Sequence, residues 1–327
     1  MSALRTWARQ RGLGRIAYRL IHQPSAQFDL ARTYGWRLAC QAWRGSIQMR
    51  RAATALPPLP LPSLLLAAPV CFLTGHRFIH QTMFCAHSFA RWSPLRASFV
   101  FLSDGSLTAD QALTLRQNFP GATVLDGAAQ DLAVAAALPP EKFPVLHALR
   151  SKFVLLRKLT DAMAGRRGYR LFFDSDMLFW REPSELLARV TAVEPLYMAD
   201  IGDDGYTVSR TILAGKFGVP VAAGVNSGLV GLTAERIDWE LLERACAFLL
   251  ESQGDRRLLE QTLWAVVLGA QTARPLDAHT YRTVIDPLQW AKVREQESSP
   301  ALLHYAWHAR LPYTAGEWRR YLKESAA

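Results

Sequence analysis

Two aspartates one residue apart, at the end of an apolar run, are the residues in this sequence best suited to chemistry. Leu171–Phe173 lead into Asp174-Ser175-Asp176, and a second apolar run, 177–180, follows. Unpaired carboxylates in a core would each cost on the order of several kcal/mol, so we expect them at a strand end, beside a cation. Two carboxylates, with diphosphate oxygens and water, suit Mg²⁺ or Mn²⁺, which would neutralise charge on a leaving diphosphate. A solvated turn or a helix cap is the plainer alternative.

The aspartate pair and its flanking apolar runs resemble the D-x-D segment of GT-A-fold glycosyltransferases, in particular the glycogenin-like and bacterial galactosyltransferase group. The resemblance extends from about Val70 to Pro312. It implies a metal-dependent transfer of sugar from a nucleotide diphosphate sugar, with UDP as the expected nucleotide and with retention of anomeric configuration. Asp174 and Asp176 would hold Mn²⁺ or Mg²⁺, and Asp174 would also lie against the donor. The sequence does not indicate a nucleophile or a base.

A second match is Asn226-Ser227-Gly228, within the mainly apolar segment 223–232. It resembles the asparagine-serine-glycine segment that leads into a strand beside the donor sugar in that family. The amide of Asn226 can donate and accept hydrogen bonds to sugar hydroxyls, and Gly228 permits close approach of the backbone. Taken alone, these three residues are typical of a turn.

The third match is the segment 304–310. Members of the family end the catalytic domain with a His, an aromatic residue and, six positions after the His, a Lys. The resemblance therefore implies that His304 is the third metal ligand and that Arg310 holds the diphosphate, roles that suit an imidazole and a guanidinium fork. Trp307 replaces the family's glycine, Arg310 replaces its lysine, and His308 is an alternative ligand. Surface histidines near a C-terminal helix are the plainer interpretation.

Weaker matches extend the predicted donor site. Glu260 and Gln261 take the positions of the acidic-Gln pair that contacts the donor sugar in related enzymes, although an ordinary amphipathic helix has the same pattern. Thr74, Gly75 and Asp104 match the positions where this fold usually holds the base and ribose, although such residues are also frequent in turns.

The segment 143–163, just before the aspartate pair, is predicted to be one long basic helix. Among its cations we keep Lys158 as a neighbour of the phosphates and expect Arg150, Lys152 and Arg157 on a solvated face.

An acidic loop lies between the aspartate pair and Asn226. It contains Asp200, Asp203 and Asp204, which either receive the acceptor hydroxyl or form a solvent-exposed turn.

Alternating apolar runs and helical segments must position these residues. Strands are predicted at 70–73, 97–102, 123–125 and 169–173, with helices at 78–92, 107–119 and 143–163. This alternation predicts an α/β fold of the GT-A (Rossmann-like) type, with a mixed, mostly parallel sheet flanked by helices. Such sheets bind ligands at the carboxyl ends of their strands. Because 74–75, 103–105 and 174–176 all follow strands, we expect them to form one site.

The N-terminal part of the chain differs in charge from the rest. Up to residue 55 it has ten Arg, no Lys, one Asp and no Glu, a balance of +9 out of the +10 of the whole chain. We predict a basic amphipathic helical extension over 1–54, a Pro-rich linker over 55–69 and the catalytic domain over 70–327. Residues 1–52 either bind an anionic membrane surface or pack on the domain with solvated arginines. The segment is poor in Ser for a transit peptide.

The composition argues against several classes of protein. Ten Trp and 50% hydrophobic residues are unlike a largely disordered chain. No run approaches the roughly 18 apolar residues that span a bilayer, and the N-terminus lacks the continuous apolar stretch of a secretory signal. The four cysteines have no metal-ligand spacing and are expected as free thiols in a reducing compartment. We therefore expect a cytoplasmic protein, peripheral on the membrane if residues 1–52 bind it, and no nucleic-acid partner.

Two other functions fit parts of the pattern. A sugar-nucleotide nucleotidyltransferase uses a related sheet but normally has a Gly-rich basic loop after the first strand, where this chain has only one glycine in 74–77. A membrane-surface binding protein with a decayed transferase site is the second alternative, and the intact aspartate pair argues against it. The acceptor stays open among a cell-surface glycan, a lipid and a protein.

Overall fold

The residues described in a computed structural model are 23–57, 62–202, 204–252, 256–296 and 300–326. Asp203 and residues 1–22 of the predicted basic extension lie outside them.

Two sheets are formed by the described residues. The strands are β1 (Leu65–Thr74), β2 (Arg96–Ser103), β3 (Thr123–Leu125), β4 (Tyr169–Phe173), β5 (Met177–Phe179), β6 (Leu196–Ala199), β7 (Val225–Thr233), β8 (Arg274–Pro275), β9 (Tyr281–Val284) and β10 (Leu302–Tyr305). The larger sheet has the order β3-β2-β1-β4-β7-β6-β8, and the smaller has the order β5-β10-β9. Within the larger sheet β7 runs antiparallel to β4 and β6, while the other neighbours are parallel. The predicted mixed, mostly parallel α/β sheet is confirmed.

Helices flank the larger sheet. They are α1 (Gln23–Tyr34), α2 (Trp36–Ala53), α3 (Ile79–Trp92), α4 (Ala109–Asn118), α5 (Gly127–Ala137), α6 (Pro144–Lys152), α7 (Arg157–Met163), α8 (Ser184–Thr191), α9 (Arg210–Phe217), α10 (Trp239–Glu251), α11 (Leu259–Ala270), α12 (Pro287–Arg294) and α13 (Trp318–Ala326). A short helical turn, Arg310–Pro312, and a π-helical turn, Tyr313–Glu317, lead into α13. Among the described residues, no helix is both long and apolar enough to cross a membrane.

Side chains alternate between two apolar cores, one on each face of the larger sheet. On β4, Leu171 and Phe173 join one core, whereas Phe172 joins the other. Successive residues of a strand point to opposite faces, so a strand buried on both faces is apolar throughout. This explains why β4 coincides with the predicted strand 169–173.

The predicted linker 55–69 ends too late. β1 already begins at Leu65, and Pro69 pairs with Ser98 of β2. The register between β1 and β2 shifts between Leu65 and Pro69. Pro69 has no backbone N–H and therefore cannot donate a hydrogen bond to the neighbouring strand. The apolar run that begins at Leu64 pairs in the sheet although it contains a proline, a residue that the prediction took as part of an extended linker.

The predicted single helix over 143–163 is wrong. α6 ends at Lys152, Phe153 is extended, and α7 begins at Arg157. The break turns Arg150 inward, where its Nε lies 2.7 Å from Oδ1 of Asp161. Arg150 and Arg157 are therefore not on a solvated face as predicted, because the buried carboxylate of Asp161 and the exposed carboxylate of Asp131 pair with them.

α2 packs on the part of the chain that forms the larger sheet. Met49 and Ala53 join the same apolar core as β1 and α3. A side chain at Gly45 would overlap the backbone carbonyl of Thr314, so glycine allows the helix to lie close against the π-helical turn. Over its described residues, the basic extension therefore has one face inside the fold.

All four cysteines are free thiols, as predicted. Cys71, Cys85 and Cys246 are buried, whereas Cys40 on α2 is exposed.

His80 on α3 is a buried histidine whose two ring nitrogens have no hydrogen-bond partner among the described residues. Burial, with a smaller contribution from Arg50, lowers the pKa of His80 to about 4. In the unfolded chain the ring has a pKa of about 6.5. As the pH falls, the ring therefore becomes protonated at a lower pH in the folded protein than in the unfolded chain. Because the unfolded state binds the proton more tightly, the group destabilises the fold as pH falls from about 6.5 towards about 4.

We expect His80→Leu to reduce the acid sensitivity of the fold. Between pH 8 and pH 5, wild type should lose about 2 kcal/mol of unfolding free energy through this group, and the variant should not. Urea unfolding at the two pH values measures the difference. His279→Leu, at an exposed position, is the control. Equal losses in wild type and in His80→Leu would contradict the assignment.

Candidate metal and donor site

The carboxyl ends of β1, β2 and β4 lie side by side at one edge of the larger sheet. Thr74 is in register with Ser103, and Phe72 is in register with Phe173. The backbone N–H of Asp104 donates to the carbonyl of Thr74 at 2.8 Å. The polar segments that follow these strands therefore converge, because parallel strands end at a common edge.

The smaller sheet brings His304 to this edge. β10 runs antiparallel to β5, with His304 opposite Met177, and the N–H of Tyr305 donates to the carbonyl of Asp176 at 2.8 Å. As a result, ligand atoms of Asp174, Asp176 and His304 all lie within 4.8 Å of one another.

A chain of hydrogen bonds orients the His304 ring. The Nδ2 of Asn226 donates to Oδ1 of Asp200 at 2.7 Å and to the Thr283 hydroxyl at 3.1 Å. Since a carboxylate only accepts, this leaves Oδ1 of Asn226 facing Nδ1 of His304, at 3.1 Å. Nδ1 is then the donor, and Nε2 lies 3.3 Å from Oδ1 of Asp176. In a neutral ring this Nε2 is the unprotonated nitrogen, the atom that a metal would take.

Gly228 makes room for this arrangement. A Cβ at this position would lie 2.6 Å from Cε1 of His304 and 2.7 Å from Oδ1 of Asn226. Its carbonyl also accepts a hydrogen bond from the N–H of Asp174 at 2.7 Å. The asparagine-serine-glycine segment is therefore the start of β7, packed between Asp174 and His304, rather than an exposed turn.

Each aspartate is paired with a cation. Nε and Nη2 of Arg310 both lie 2.6 Å from Oδ2 of Asp176. Nζ of Lys158 lies 2.6 Å from Oδ1 and 2.9 Å from Oδ2 of Asp174. The two cations predicted to lie near the phosphates thus contact the two carboxylates predicted to hold the metal.

The pKa values reflect these pairs. Burial raises the pKa of Asp176, but Arg310 and His304 outweigh it and hold that pKa well below its usual range. Burial lowers the pKa of Lys158, but Asp174 and Glu260 reverse the effect, so this pKa is raised. Burial likewise lowers the pKa of His304, and Asp176 raises it above its ordinary value. The surrounding groups therefore favour the charged forms of Asp176 and Lys158.

Glu260 is connected to the cluster, whereas Gln261 is not. Oε2 of Glu260 accepts from the Ser227 hydroxyl at 2.9 Å, and Oε1 lies 3.8 Å from Nζ of Lys158. Burial raises the pKa of Glu260. In contrast, the amide of Gln261 donates to the carbonyl of Gly205 at 3.0 Å.

A cavity of about 380 Å³ opens beside Glu260. It is lined by Lys152, Phe153, Val154, Leu155, Arg257, Leu259 and Glu260. Lys152, the one cation of the broken helix segment that keeps an exposed position, borders this cavity.

The residues proposed for the nucleotide lie at the same edge of the sheet. Thr74 has a buried hydroxyl, 2.7 Å from that of Thr82, which lies 2.8 Å from the Ser175 hydroxyl. Gly75 lies against the carboxylate of Asp104. The hydroxyl of Thr74 is thus hydrogen-bonded inside the protein, whereas Asp104 is only half-buried.

The alternative ligand His308 lies outside the cluster. Its Nδ1 is 3.0 Å from the hydroxyl of Tyr34, and the ring is exposed.

The two described aspartates of the acidic loop have different partners. Asp200 contacts the site by accepting a hydrogen bond from Asn226. Asp204 instead accepts a hydrogen bond from the N–H of Gly224 at 2.6 Å, which fixes the loop.

Sequence reasoning missed Thr283, which contacts Asn226, and Thr82, which joins Thr74 to Ser175. A single Thr in a helix or a short strand has no distinguishing pattern. Their positions depend on which elements pack together.

Comparisons with known proteins give similarity to solved structures only. No protein-family model matches the chain, and no curated protein matches it. The apo form of mouse xyloside xylosyltransferase 1 is similar at 13% identity and a TM-score of 0.47, over 72% of this chain and 97% of that chain. An active-site mutant of LgtC is similar at 15% identity and a TM-score of 0.48, over 77% and 99%.

The apo structure of the bifunctional glycosyltransferase WbbM is similar at 11% identity and a TM-score of 0.46, over 82% of this chain and 53% of that chain. At these identities and TM-scores, the similarity by itself assigns no function to this chain.

Proposed function

We propose that this chain is a metal-dependent glycosyltransferase that moves a sugar from a nucleotide diphosphate sugar, a UDP-sugar, to a hydroxyl of a glycan, lipid or protein. The observation that carries the proposal is the convergence of Asp174, Asp176 and His304, with Arg310 and Lys158, at the carboxyl end of the larger sheet. Two carboxylates and an imidazole whose Nε2 faces them are a fitting donor set for Mn²⁺ or Mg²⁺.

Asp174, Asp176 and His304 would hold the metal, which supplies Lewis-acid neutralisation of the diphosphate. Arg310, half-exposed at the rim, would turn from Asp176 towards the diphosphate, because its planar fork matches phosphate oxygens. Lys158 would stay between Asp174 and Glu260 as a second cation near the phosphates.

The remaining predicted residues would form the walls of the donor site. Asn226 would keep the His304 ring oriented and contact the sugar, with Glu260 beside it. Gln261 is proposed as a sugar contact that first releases its bond to Gly205. Thr74, Gly75 and Asp104 are proposed for the base and ribose, and Asp104 is the member of this set with an accessible carboxylate.

Retention of anomeric configuration is proposed from the family resemblance. The proposed location is the cytoplasmic face of a membrane, an inference supported by the four free thiols and the basic N-terminal segment 1–52. The division into 1–54, 55–69 and the catalytic domain remains part of this proposal, with the linker shortened by β1.

Calorimetric titration with UDP, with and without Mn²⁺, tests the proposal. We expect binding that requires the metal, since the diphosphate carries charge that Asp174 and Asp176 would otherwise repel. A panel of nucleotide sugars should then show metal-dependent release of the nucleotide diphosphate for one donor. Pyrophosphate release from a nucleoside triphosphate and a sugar phosphate would favour a nucleotidyltransferase. If the metal changes neither the binding of UDP nor the release of nucleotide from any donor, the proposal of a working transferase site is contradicted.

A further inference from the structure

The outward face of α2 carries a stripe of exposed apolar side chains. Trp36, Trp43 and Ile47 are 57%, 64% and 42% exposed, and Cys40 between them is exposed too. These residues follow one another at intervals of three or four, which places them on one face of a helix. Single exposed apolar residues are common on monomeric proteins, but a continuous stripe marks an interaction surface.

The opposite face of α2 is already used by the fold. It carries Ala42, Gly45, Met49 and Ala53, all of which are buried. Because Gly45 lies against the backbone of Thr314, the helix cannot rotate to bury its outer stripe without losing this packing.

A row of arginines runs beside the stripe. Arg37, Arg44 and Arg51 are exposed and lie seven residues apart, about two helical turns. No Asp or Glu occurs in α2, or anywhere between Asp29 and Asp104. Exposed Trp and Ile beside arginines on a helix that has no carboxylate of its own are typical of a helix that lies in the plane of an anionic membrane.

We infer that this outer face of α2, extended by Phe28 of α1, is a docking surface for an anionic lipid bilayer. The Phe28 ring packs edge-on against Trp36, with 5.3 Å between ring centroids, and is itself exposed. A second copy of the chain is the poorer occupant, because a symmetric pairing would set the arginine row against itself.

The docking surface lies next to the candidate site. The Tyr34 hydroxyl at the end of α1 contacts Nδ1 of His308, two residues before Arg310. Docking would therefore hold the Arg310 side of the site near the lipid surface. If the proposed function is correct, the acceptor is one that the membrane carries, and this last step rests on that function.

Cys40 allows a direct test in the natural sequence, because the other three cysteines are buried. A polarity-sensitive fluorophore is attached to Cys40 of the full chain, which is then titrated with phosphatidylglycerol-containing vesicles and with phosphatidylcholine vesicles. We expect a blue shift of the emission with the anionic vesicles alone. Added salt should reverse it, since the Debye length falls from about 10 Å at 0.1 M to about 3 Å at 1 M.

Variants separate this surface from general charge. Arg37→Gln, Arg44→Gln and Arg51→Gln combined should weaken vesicle binding by on the order of a hundredfold. Trp43→Ser with Ile47→Ser should also weaken it. A triple variant at exposed arginines outside α2, Arg116→Gln, Arg236→Gln and Arg244→Gln, has the same net charge and should bind nearly as wild type does.

Three outcomes would overturn the inference. They are a missing emission shift on anionic vesicles, equal losses in the two triple variants, and a dimer in light scattering that the Trp43/Ile47 variant abolishes while vesicles stay unbound. Calorimetry of UDP with Mn²⁺ on the same samples reports the donor site separately. A failure of the docking surface is thereby distinguished from a failure of the proposed function.

Discussion

Asp176→Asn should reduce metal-dependent sugar transfer by at least about a thousandfold. A metal that neutralises a leaving diphosphate would contribute on the order of several kcal/mol, and about 4 kcal/mol corresponds to a thousandfold in rate. Asparagine keeps the shape of Asp176 and an acceptor oxygen for Arg310, but it removes the negative charge. That charge sits in a buried position 3.3 Å from Nε2 of His304.

Two measurements check this first prediction. Nucleotide release from the active donor reports transfer, and Mn²⁺ titration reports metal affinity, which should fall together with it. Circular dichroism establishes that the variant is folded. Asp110→Asn, an identical change at an exposed position on α4, should leave both quantities unchanged. An Asp176→Asn enzyme that keeps metal-dependent transfer would remove the basis of the proposed function.

Lys158→Met should lower the free energy of unfolding by about 3–5 kcal/mol in the absence of metal. Methionine fills a similar volume but leaves the carboxylates of Asp174 and Glu260 without the ammonium that now lies 2.6 Å and 3.8 Å from them. Removal of one member of a buried charge network exposes the others to an uncompensated desolvation penalty. A divalent cation at Asp174 would supply the missing charge, so Mn²⁺ should stabilise the variant more than it stabilises wild type.

Lys142→Met is the matched control for this second prediction. Lys142 pairs with Glu240 at 2.6 Å, the same distance as Lys158 and Asp174, but the two side chains are 58% and 61% exposed. An exposed pair contributes at most about 1 kcal/mol. Thermal unfolding with and without Mn²⁺ compares the variants. Equal destabilisation of both, or no added benefit of Mn²⁺ in Lys158→Met, would contradict a buried charge network.

The pattern of apolar runs was informative because strands and helices bury faces with different periods. It predicted β3 and β4 with their observed bounds and the helix that became α3 to within a residue. It could not predict β5, β9 and β10, which are three or four residues long and have no clear period. Those short strands are the elements that bring His304 to Asp176.

The prediction of solvated cations on 143–163 illustrates a second limit. Basic residues are usually exposed, so a single sequence favours a solvent-facing row. Arg150 is instead buried because Asp161 faces it across the break between α6 and α7, and the mostly buried Arg157 lies beside the same carboxylate. A carboxylate partner that folding brings close reverses the preference of a charged side chain for water.

The aspartate pair at the end of an apolar strand was determined by the sequence alone, since a local run of apolar residues decides both the strand and where its polar end must lie. The Asn226 and His304 segments were suggested by resemblance, but their contacts with each other were decided only by tertiary structure. Arg310 and Asp176 meet although they are 134 positions apart. Such a contact depends on which strands pair with each other. The same strand pairing decides that His304, and not His308, lies beside the aspartates.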